Sequence, residues 1–435
     1  MMDRISQLPD EVLALILSGL SLREAAATSV MSRRWKNLWT FITSLDFDVL
    51  ETLNDIELEL TLCETEKPRY IRWVNQVLDL RQSSIISMFR ICFPLNQTSK
   101  SDIDRWLEIV VMGKKVQRFE LDLKQDLDSS FKPTNFYAFP YEVLVSPRHF
   151  GSFECLTYLC FKCVNVSGQV LEYFLSNCPL ERLCVEYSSV DLVNLNVTHP
   201  CLQLKYLKII CCRKLERIGI FAPSLVSFKY CGPQINLQLN NFPSLVEASF
   251  GTASYGISGI FSGNISYAFG QLSSYLSQLE SLKLEVDPIE AINGLPQLTN
   301  LKRLVLTVCA RDYHNLLQLT SLIRASPYLY KFVLKLEWCE SGRRQREVRR
   351  VSRCPYMHLK VLELIGFVGR ALDVEFAEHI LENAIMLEKI TINTCHPSAI
   401  GTPFEFDESE ARQTARDRAM DLRAKLPQGA ELFVI

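Results

Sequence analysis

Cysteine is the reactive residue that this sequence carries in unusual number. The 435 residues include 15 cysteines, an odd count, and most stand in apolar segments such as Leu183-Cys184-Val185. That placement is typical of free thiols that act as small buried hydrophobes in a reducing compartment. Cys160 and Cys163, with Cys155 nearby, would need a second pair or two histidines for a zinc site, and neither stands at suitable spacing. We therefore expect no metal site and no cofactor.

Motifs of the common catalytic classes are absent from the sequence. No Ser-His-Asp arrangement, Gly-rich phosphate loop or His-Glu-x-x-His motif is recognisable, and the six histidines are widely spread. The 47 basic residues against 49 acidic ones exclude the strong positive charge that is typical of nucleic-acid binding. Neither a secretory signal nor a membrane-spanning run is apparent. These features favour a soluble intracellular protein that is not an enzyme.

The first forty residues predict three short helices with more apolar surface than they can bury among themselves. Pro9 opens the first helix, whose apolar residues recur at helical spacing. Ser21-Leu22-Arg23-Glu24 is a capping box that begins the second helix, and Ser32 caps a third that ends near Trp39. Part of this apolar surface is therefore expected to meet a partner, with large aromatic side chains carrying the binding energy.

Three segments of this module, Asp3 to Glu11, Ile16-Leu17-Ser18 and Thr28 to Trp39, closely resemble a plant F-box. The resemblance implies docking to a Skp-family adaptor and, through it, to a cullin scaffold. The positions that it implies for meeting or supporting the adaptor are Leu8, Pro9, Ile16, Leu17, Ser32, Trp35 and Trp39.

Beyond residue 80 an apolar-x-x-apolar-x-apolar phrase recurs. Its first positions are Ile86, Val116, Leu156, Leu180, Leu204, Leu225, Leu245, Leu279, Leu301, Leu329, Leu359 and Leu387. Each phrase predicts a short strand that cannot bury its own apolar face, so the repeats must stack into a leucine-rich-repeat solenoid. Helical returns are expected at Pro68 to Leu80 and Asp102 to Met112, and an inserted loop at 251–270.

The segment from Cys354 resembles the FBD domain that follows such arrays in plant F-box proteins, and it predicts the last repeats plus a cap. The expected class is therefore α/β, with a three-helix F-box at 1–45, a leucine-rich-repeat array at 46–353 and an FBD region at 354–435. The resemblance implies a substrate-recognition subunit of a Skp–cullin–F-box ubiquitin ligase. The alternatives are an adaptor-binding scaffold without a degradation role and a small-molecule co-receptor.

The middle residue of each phrase is expected to face the concave side of the array. Lys208, Lys229 and Lys283 would then form a basic strip, which favours an acidic or phosphorylated target segment with an apolar neighbour. An arginine run from Arg343 to Arg353 is interpreted as a solvated loop, with a nuclear-import signal or an RNA-binding patch as alternatives. The target is not identifiable from the sequence, and the expected location is cytoplasmic, nuclear or both.

Overall fold

The structure is a computed structural model that describes residues 5–48, 60–113, 115–123, 135–146, 153–188, 191–198, 202–251, 265–286, 295–339, 354–406 and 408–435. These residues form two compact units. One comprises Met1–Leu225 and Ile235–Asn241, and the other comprises Val226–Gln234 and Phe242–Ile435. Within the described ranges, no helix combines the length and the apolar character that crossing a membrane requires.

Short helices open the chain, and longer ones return the chain between strands. The α-helices are α1 (Asp10–Leu17), α2 (Leu22–Ala27), α3 (Leu60–Leu80), α4 (Lys100–Met112), α5 (Tyr141–Val145), α6 (Gly168–Asn177), α7 (Ile265–Leu272), α8 (Thr320–Arg324), α9 (Ala371–Asn383) and α10 (Glu410–Asp421). The 3-10 helices are Ile5–Gln7, Thr28–Val30, Trp35–Phe41, Gln97–Ser99, Leu316–Leu319, Pro397–Ala399, Pro403–Phe406 and Leu422–Lys425.

The strands are mostly five residues long. They are β1 (Ser44–Asp48), β2 (Met88–Cys92), β3 (Arg118–Asp122), β4 (Tyr137–Ala138), β5 (Tyr158–Lys162), β6 (Val164–Asn165), β7 (Arg182–Glu186), β8 (Asn194–Val197), β9 (Tyr206–Ile210), β10 (Arg217–Phe221), β11 (Ser227–Cys231), β12 (Asn236–Asn240), β13 (Glu247–Gly251), β14 (Ser281–Val286), β15 (Arg303–Ala310), β16 (Lys331–Trp338), β17 (Val361–Ile365), β18 (Lys389–Asn393) and β19 (Glu431–Val434).

The first unit contains a parallel sheet in the order β1-β2-β3-β5-β7-β9. A smaller parallel sheet, β8-β10-β12, and the pair β4-β6 belong to the returning segments. The smaller sheet was missed in the sequence, although two of its strands carry the phrase, as Leu192-x-x-Leu195-x-Val197 in β8 and Leu215-x-x-Ile218-x-Ile220 in β10.

The second unit contains a parallel sheet in the order β11-β13-β14-β15-β16-β17-β18-β19. Its final strand is Glu431–Val434. Helix α9 returns the chain between β17 and β18 and buries Phe376, Ile380 and Leu381, as its apolar periodicity indicates.

The repeated phrase accounts for the core of both units. Each of the twelve predicted first positions is 3% exposed or less. The residues three and five positions later are buried as well, so the inward side chains of neighbouring strands stack in rows. The predicted α/β class with a leucine-rich-repeat array is confirmed. The domain boundaries at 45/46 and 353/354 stay predictions.

Several local predictions need correction. The array begins earlier than predicted, because Ile42-x-x-Leu45-x-Phe47 is a further copy of the phrase and forms β1. Ser32 does not cap a third α-helix, since Trp35–Phe41 is a 3-10 helix that begins after Arg34 without a side-chain cap. Cys309 and Cys339 form a disulfide between the ends of β15 and β16. The sequence analysis expected free thiols and did not predict this bond. Most of the predicted loop at 251–270 and the whole arginine run lie outside the described residues.

Candidate functional site

The N-terminal helices form a small module with a core of its own. Its buried apolar side chains are Leu13, Leu17, Leu22, Ala25, Trp35 and Leu38, each 5% exposed or less. These side chains come from α1, α2 and the 3-10 helix Trp35–Phe41, so truncating any one side chain would weaken the packing of its element against the others. The module is therefore held together from the inside, and its remaining apolar residues are available to a partner.

Polar contacts fix the two ends of this module. The Ser21 Oγ accepts a hydrogen bond from the Glu24 N–H at 3.2 Å, and the Glu24 carboxylate accepts one from the Ser21 N–H at 2.9 Å. This is the predicted capping box, and the pKa of Glu24 is lowered because the Ser21 N–H and the Ser21 hydroxyl both donate to its charged carboxylate. An ion pair of 2.7 Å between Arg34 Nη2 and Asp10 Oδ1 connects the residue before the 3-10 helix Trp35–Phe41 to the first residue of α1.

The seven predicted adaptor positions separate into two groups. Ile16 is 47% exposed, Pro9 and Ser32 are exposed, and Leu8 and Trp39 are half-buried. Leu17 and Trp35 are 1% and 5% exposed, because they belong to the core of the module. A buried side chain cannot reach an adaptor, so in this structure these two can only support the surface that the others form.

Further exposed apolar residues were missed as candidates. Val12, Leu15 and Ile16 are 39%, 72% and 47% exposed and share one face of α1, which we call the α1 apolar face. Val30 and Met31, in the turn after α2, are 90% and 64% exposed. The spacing of Val12, Leu15 and Ile16 at i, i+3 and i+4 could have indicated this face. However, periodicity alone does not tell which apolar face of a helix packs inward.

The module is joined to the first repeat by direct contacts. The Arg23 guanidinium lies 5.2 Å from the centre of the Trp73 ring on α3, and the Phe47 ring of β1 packs edge-on against the same tryptophan at 5.2 Å. Strand β1 then pairs with β2 through all five of its residues. The module therefore continues into the sheet without a long intervening linker, and a partner on the module is held at a defined place relative to the first repeats.

The middle residues of the phrase pair with one another in a single column within each unit. In the first unit the paired column is Asp46, Arg90, Glu120, Cys160, Cys184 and Lys208. In the second it is Lys229, Ser249, Lys283, Val305, Val333, Glu363, Thr391 and Phe433. We call the side of each sheet that carries this column its open face.

Charges on the open face of the first unit neutralise one another. Arg90 contacts Asp46, Asp48 and Glu120, and Lys162 contacts Glu120 and Asp122. Glu120 is only 3% exposed, and these cations surround its carboxylate. This network leaves little uncompensated charge for a ligand.

Two of the three predicted target-binding lysines already have carboxylate partners. The Lys208 Nζ lies 2.6 Å from Glu186 Oε1, and the Lys283 Nζ lies 2.6 Å from Glu247 Oε1. Burial alone would raise the pKa of Glu186, but the hydrogen bond and charge of Lys208 outweigh it and the pKa is lowered. Glu247 responds to Lys283 in the same way. Among the described residues no ion pair involves Lys229, so the predicted strip contains one lysine without a carboxylate partner.

An apolar cluster follows the lysines on the open face of the second unit. Val305, Val333 and Ile365 pack together and are each 7% exposed or less. These three side chains therefore leave little apolar surface exposed on this face.

The cysteines singled out for zinc do not converge. Cys160 and Cys163 are buried, whereas Cys155 is exposed. Across the described part of the chain, no three His, Cys, Asp or Glu side chains come close enough to hold a metal ion.

Comparisons with known proteins match both parts of the chain. An F-box domain model matches residues 5–44, and a model described as "At1g61320/AtMIF1, LRR domain" matches residues 144–422. F-box/FBD/LRR-repeat protein At5g22660 of Arabidopsis thaliana is 25% identical over 426 residues, which cover 91% of this chain and 90% of that protein. F-box/LRR-repeat protein At3g58900 of the same plant is 34% identical over 279 residues, 57% of this chain and 79% of that protein. FBD-associated F-box protein At4g10400, also from Arabidopsis thaliana, is 26% identical over 90% of this chain and 93% of its own length.

Proposed function

Because the chain belongs to the family of F-box/leucine-rich-repeat proteins, we propose that it is the substrate-recognition subunit of a Skp–cullin–F-box ubiquitin-protein ligase. The N-terminal module docks a Skp-family adaptor and, through it, a cullin. The repeat array binds the protein to be ubiquitinated. The transfer chemistry belongs to other subunits, so the chain acts without catalytic residues or a cofactor, in the cytoplasm, the nucleus or both.

The observation that carries this proposal is the α1 apolar face. Val12, Leu15 and Ile16 stay exposed although the module has a complete core beneath them. A few large side chains at the centre of such a face supply most of the binding energy when a partner covers it. Neither folding nor solubility requires apolar side chains at these exposed positions. Docking of an adaptor explains why they are apolar.

The test is co-purification of the full chain with a Skp-family adaptor and a cullin. Changing Ile16→Asp places a carboxylate on the face without disturbing the core, so we expect adaptor capture to fall at least a hundredfold, about 2.7 kcal/mol. Phe406→Asp is the matched control, since Phe406 is 82% exposed and lies outside the module. Adaptor capture that is equal in both variants and in the unchanged chain would contradict the proposal.

Trp35→Ala is a different experiment. Trp35 is 5% exposed and packs inside the module, so its removal unfolds the helices as well as weakening docking. Loss of the adaptor in this variant alone would not separate a binding role from a structural one.

A non-degradative scaffold is the alternative in the same family. It shares the docking step and differs only in the fate of the bound protein. Ubiquitination of the captured protein in a reconstituted complex separates the two.

A further inference from the structure

The edge of the second unit where its strands begin is rich in exposed aromatic and cationic side chains. In three consecutive repeats, the residues just after the first leucine of the phrase are Lys302, Tyr330 and Lys360. The Tyr330 N–H donates to the Lys302 carbonyl at 2.9 Å, and the Lys360 N–H donates to the Tyr330 carbonyl at 3.0 Å. Tyr330 therefore lies between two lysines that come from the strands on either side of it.

These residues line a cavity of about 440 Å³. Its complete lining is Thr299, Asn300, Lys302, Tyr328, Tyr330, His358 and Lys360. Every one of these side chains can donate a hydrogen bond, and none of the seven carries a carboxylate. Tyr328 and Tyr330 are 56% and 48% exposed, so a ligand can reach both rings. We call this the lysine–tyrosine cavity.

The two lysines are held by weak pairs that a ligand can displace. Lys302 lies 3.1 Å from Glu280 and Lys360 lies 2.6 Å from Glu388, outside the lining, and the side chains of both glutamates are more than half exposed. Pairs this exposed contribute little to stability, because water and dissolved salt screen their charges. The Glu186 partner of Lys208 is only 12% exposed, which holds that lysine far more firmly on the open face.

A second cavity, of about 310 Å³, adjoins the first and shares Tyr328 and His358 with it. The two shared rings lie 5.1 Å apart, and the His358 Nδ1 lies 3.0 Å from the Pro327 carbonyl, which fixes the wall between the cavities. Apolar side chains, among them Ile323 and Met357, line much of the second cavity. It suits an apolar side chain next to the group held by the lysines.

We propose that the lysine–tyrosine cavity binds a phosphate monoester, and that its source is a phosphorylated segment of the target, with an adjacent apolar side chain in the second cavity. The assignment to a target rests on the proposed function. Lys302 and Lys360 are two strand spacings apart, roughly 10 Å along the sheet, and each pairs with a glutamate of the repeat on the side away from Tyr330. Both side chains are flexible, so a doubly charged ligand between them can draw the two ammonium groups toward Tyr330. A phosphate ester has three acceptor oxygens and nearly two negative charges, so it engages both ammonium groups and a phenol at once, which a carboxylate does less completely.

The experiment uses the full chain, immobilised, and two degenerate peptide libraries that differ only in a fixed phosphothreonine or threonine. Peptides retained are quantified by mass spectrometry, and phenyl phosphate and inorganic phosphate are titrated separately by calorimetry. We expect the phosphothreonine library to be retained, with apolar residues enriched beside the phosphothreonine. In Lys302→Ala/Lys360→Ala, retention and phenyl phosphate affinity should fall at least tenfold.

Lys205→Ala is the matched control. Lys205 also follows the first leucine of its phrase and pairs with a glutamate of the preceding repeat at 2.8 Å, but it does not line the lysine–tyrosine cavity. Phosphate binding should be unchanged in this variant. Lys302→Gln/Lys360→Gln repeats the test with side chains that keep their hydrogen-bonding capacity, and circular dichroism verifies the fold of each protein.

Retention of neither library, with no phenyl phosphate binding at 10 mM, overturns the proposal. Binding of phenyl phosphate without retention of phosphopeptides overturns its assignment to a protein segment and indicates a small phosphate ester instead. Equal loss in Lys205→Ala overturns the assignment to this cavity. Ile16→Asp leaves phosphopeptide retention intact, so failure of the ligase proposal is distinguishable from failure of this one.

Discussion

At the scale of single residues, the environment of each lysine decides what it can do. The sequence placed Lys208, Lys229 and Lys283 in register on the open face of their sheets, and their positions are correct. Lys208 and Lys283 nevertheless neutralise Glu186 and Glu247, which belong to neighbouring strands. Whether any of the three lysines contacts a target stays a prediction.

We expect Lys208→Glu to loosen the strands beside it. The new carboxylate would face Glu186, whose side chain is only 12% exposed, and repulsion in this partly buried place should cost about 1–3 kcal/mol. The measurement is hydrogen exchange of the amides in β7 and β9. Lys229→Glu is the control, because the described residues give Lys229 no ion pair, and equal exchange in the two variants would contradict the structural role of Lys208.

The same pair predicts a pH dependence. Because the pKa of Glu186 is lowered in the folded chain, the stabilisation from this pair is fully present above the usual glutamate pKa of 4.5 and is lost as the pH falls through the lower folded value. Protection of β7 and β9 should therefore differ between the unchanged chain and Lys208→Met at pH 7. That difference should shrink as the pH is lowered toward 3.

At the scale of elements, the turns between strands impose backbone requirements that the phrase itself does not show. Gly366, directly after β17, has a φ of 78°, in the left-handed region where glycine carries no steric cost. An added Cβ there would also overlap the Leu336 carbonyl oxygen of β16. This turn positions the chain for α9 and so for the next repeat.

We expect Gly366→Ala to destabilise the repeats around it by at least about 2 kcal/mol, because backbone strain and overlap act together. Gly401→Ala is a matched control, since Gly401 has a φ of 79° but nothing within 4 Å of an added Cβ. That control should lose only about 1 kcal/mol. Hydrogen exchange of the Gly366 amide, which donates to the Asn393 carbonyl at 2.9 Å, reports the difference. Equal losses of stability in the two variants would show that backbone strain accounts for the effect and that overlap with the Leu336 carbonyl oxygen adds nothing.

At the scale of the whole molecule, the proposal joins two surfaces with separate tasks. In the proposed function, the α1 apolar face attaches the chain to a ligase scaffold, and the array holds the target. Each surface should therefore fail without damaging the other, which distinguishes a receptor from a protein with one composite site.

We expect Ile16→Asp to lengthen the half-life of the captured protein in cells at least severalfold while its binding to the array persists. The physical reason is that the target stays bound but no longer meets the ubiquitin-transferring subunits. Proximity labelling during proteasome inhibition identifies the captured protein, and pulse-chase measures its half-life. A half-life that is unchanged by Ile16→Asp would support the non-degradative scaffold instead.

The sequence by itself determined the fold class, the positions of twelve repeats and the register in which their strands pair. The physical reason is that each phrase has period two and an apolar face that only stacking can bury, so its leucines had to lie inside. Tertiary structure decided which apolar face of α1 stays exposed, because that depends on where Leu22, Trp35 and Leu38 pack. It also decided which lysines pair with partly buried carboxylates and which line a cavity beside exposed ones. The carboxylate partners of these lysines come from other repeats. Lys283, for example, pairs with Glu247, which lies 36 residues earlier in the chain, and no local pattern in the sequence records such pairs.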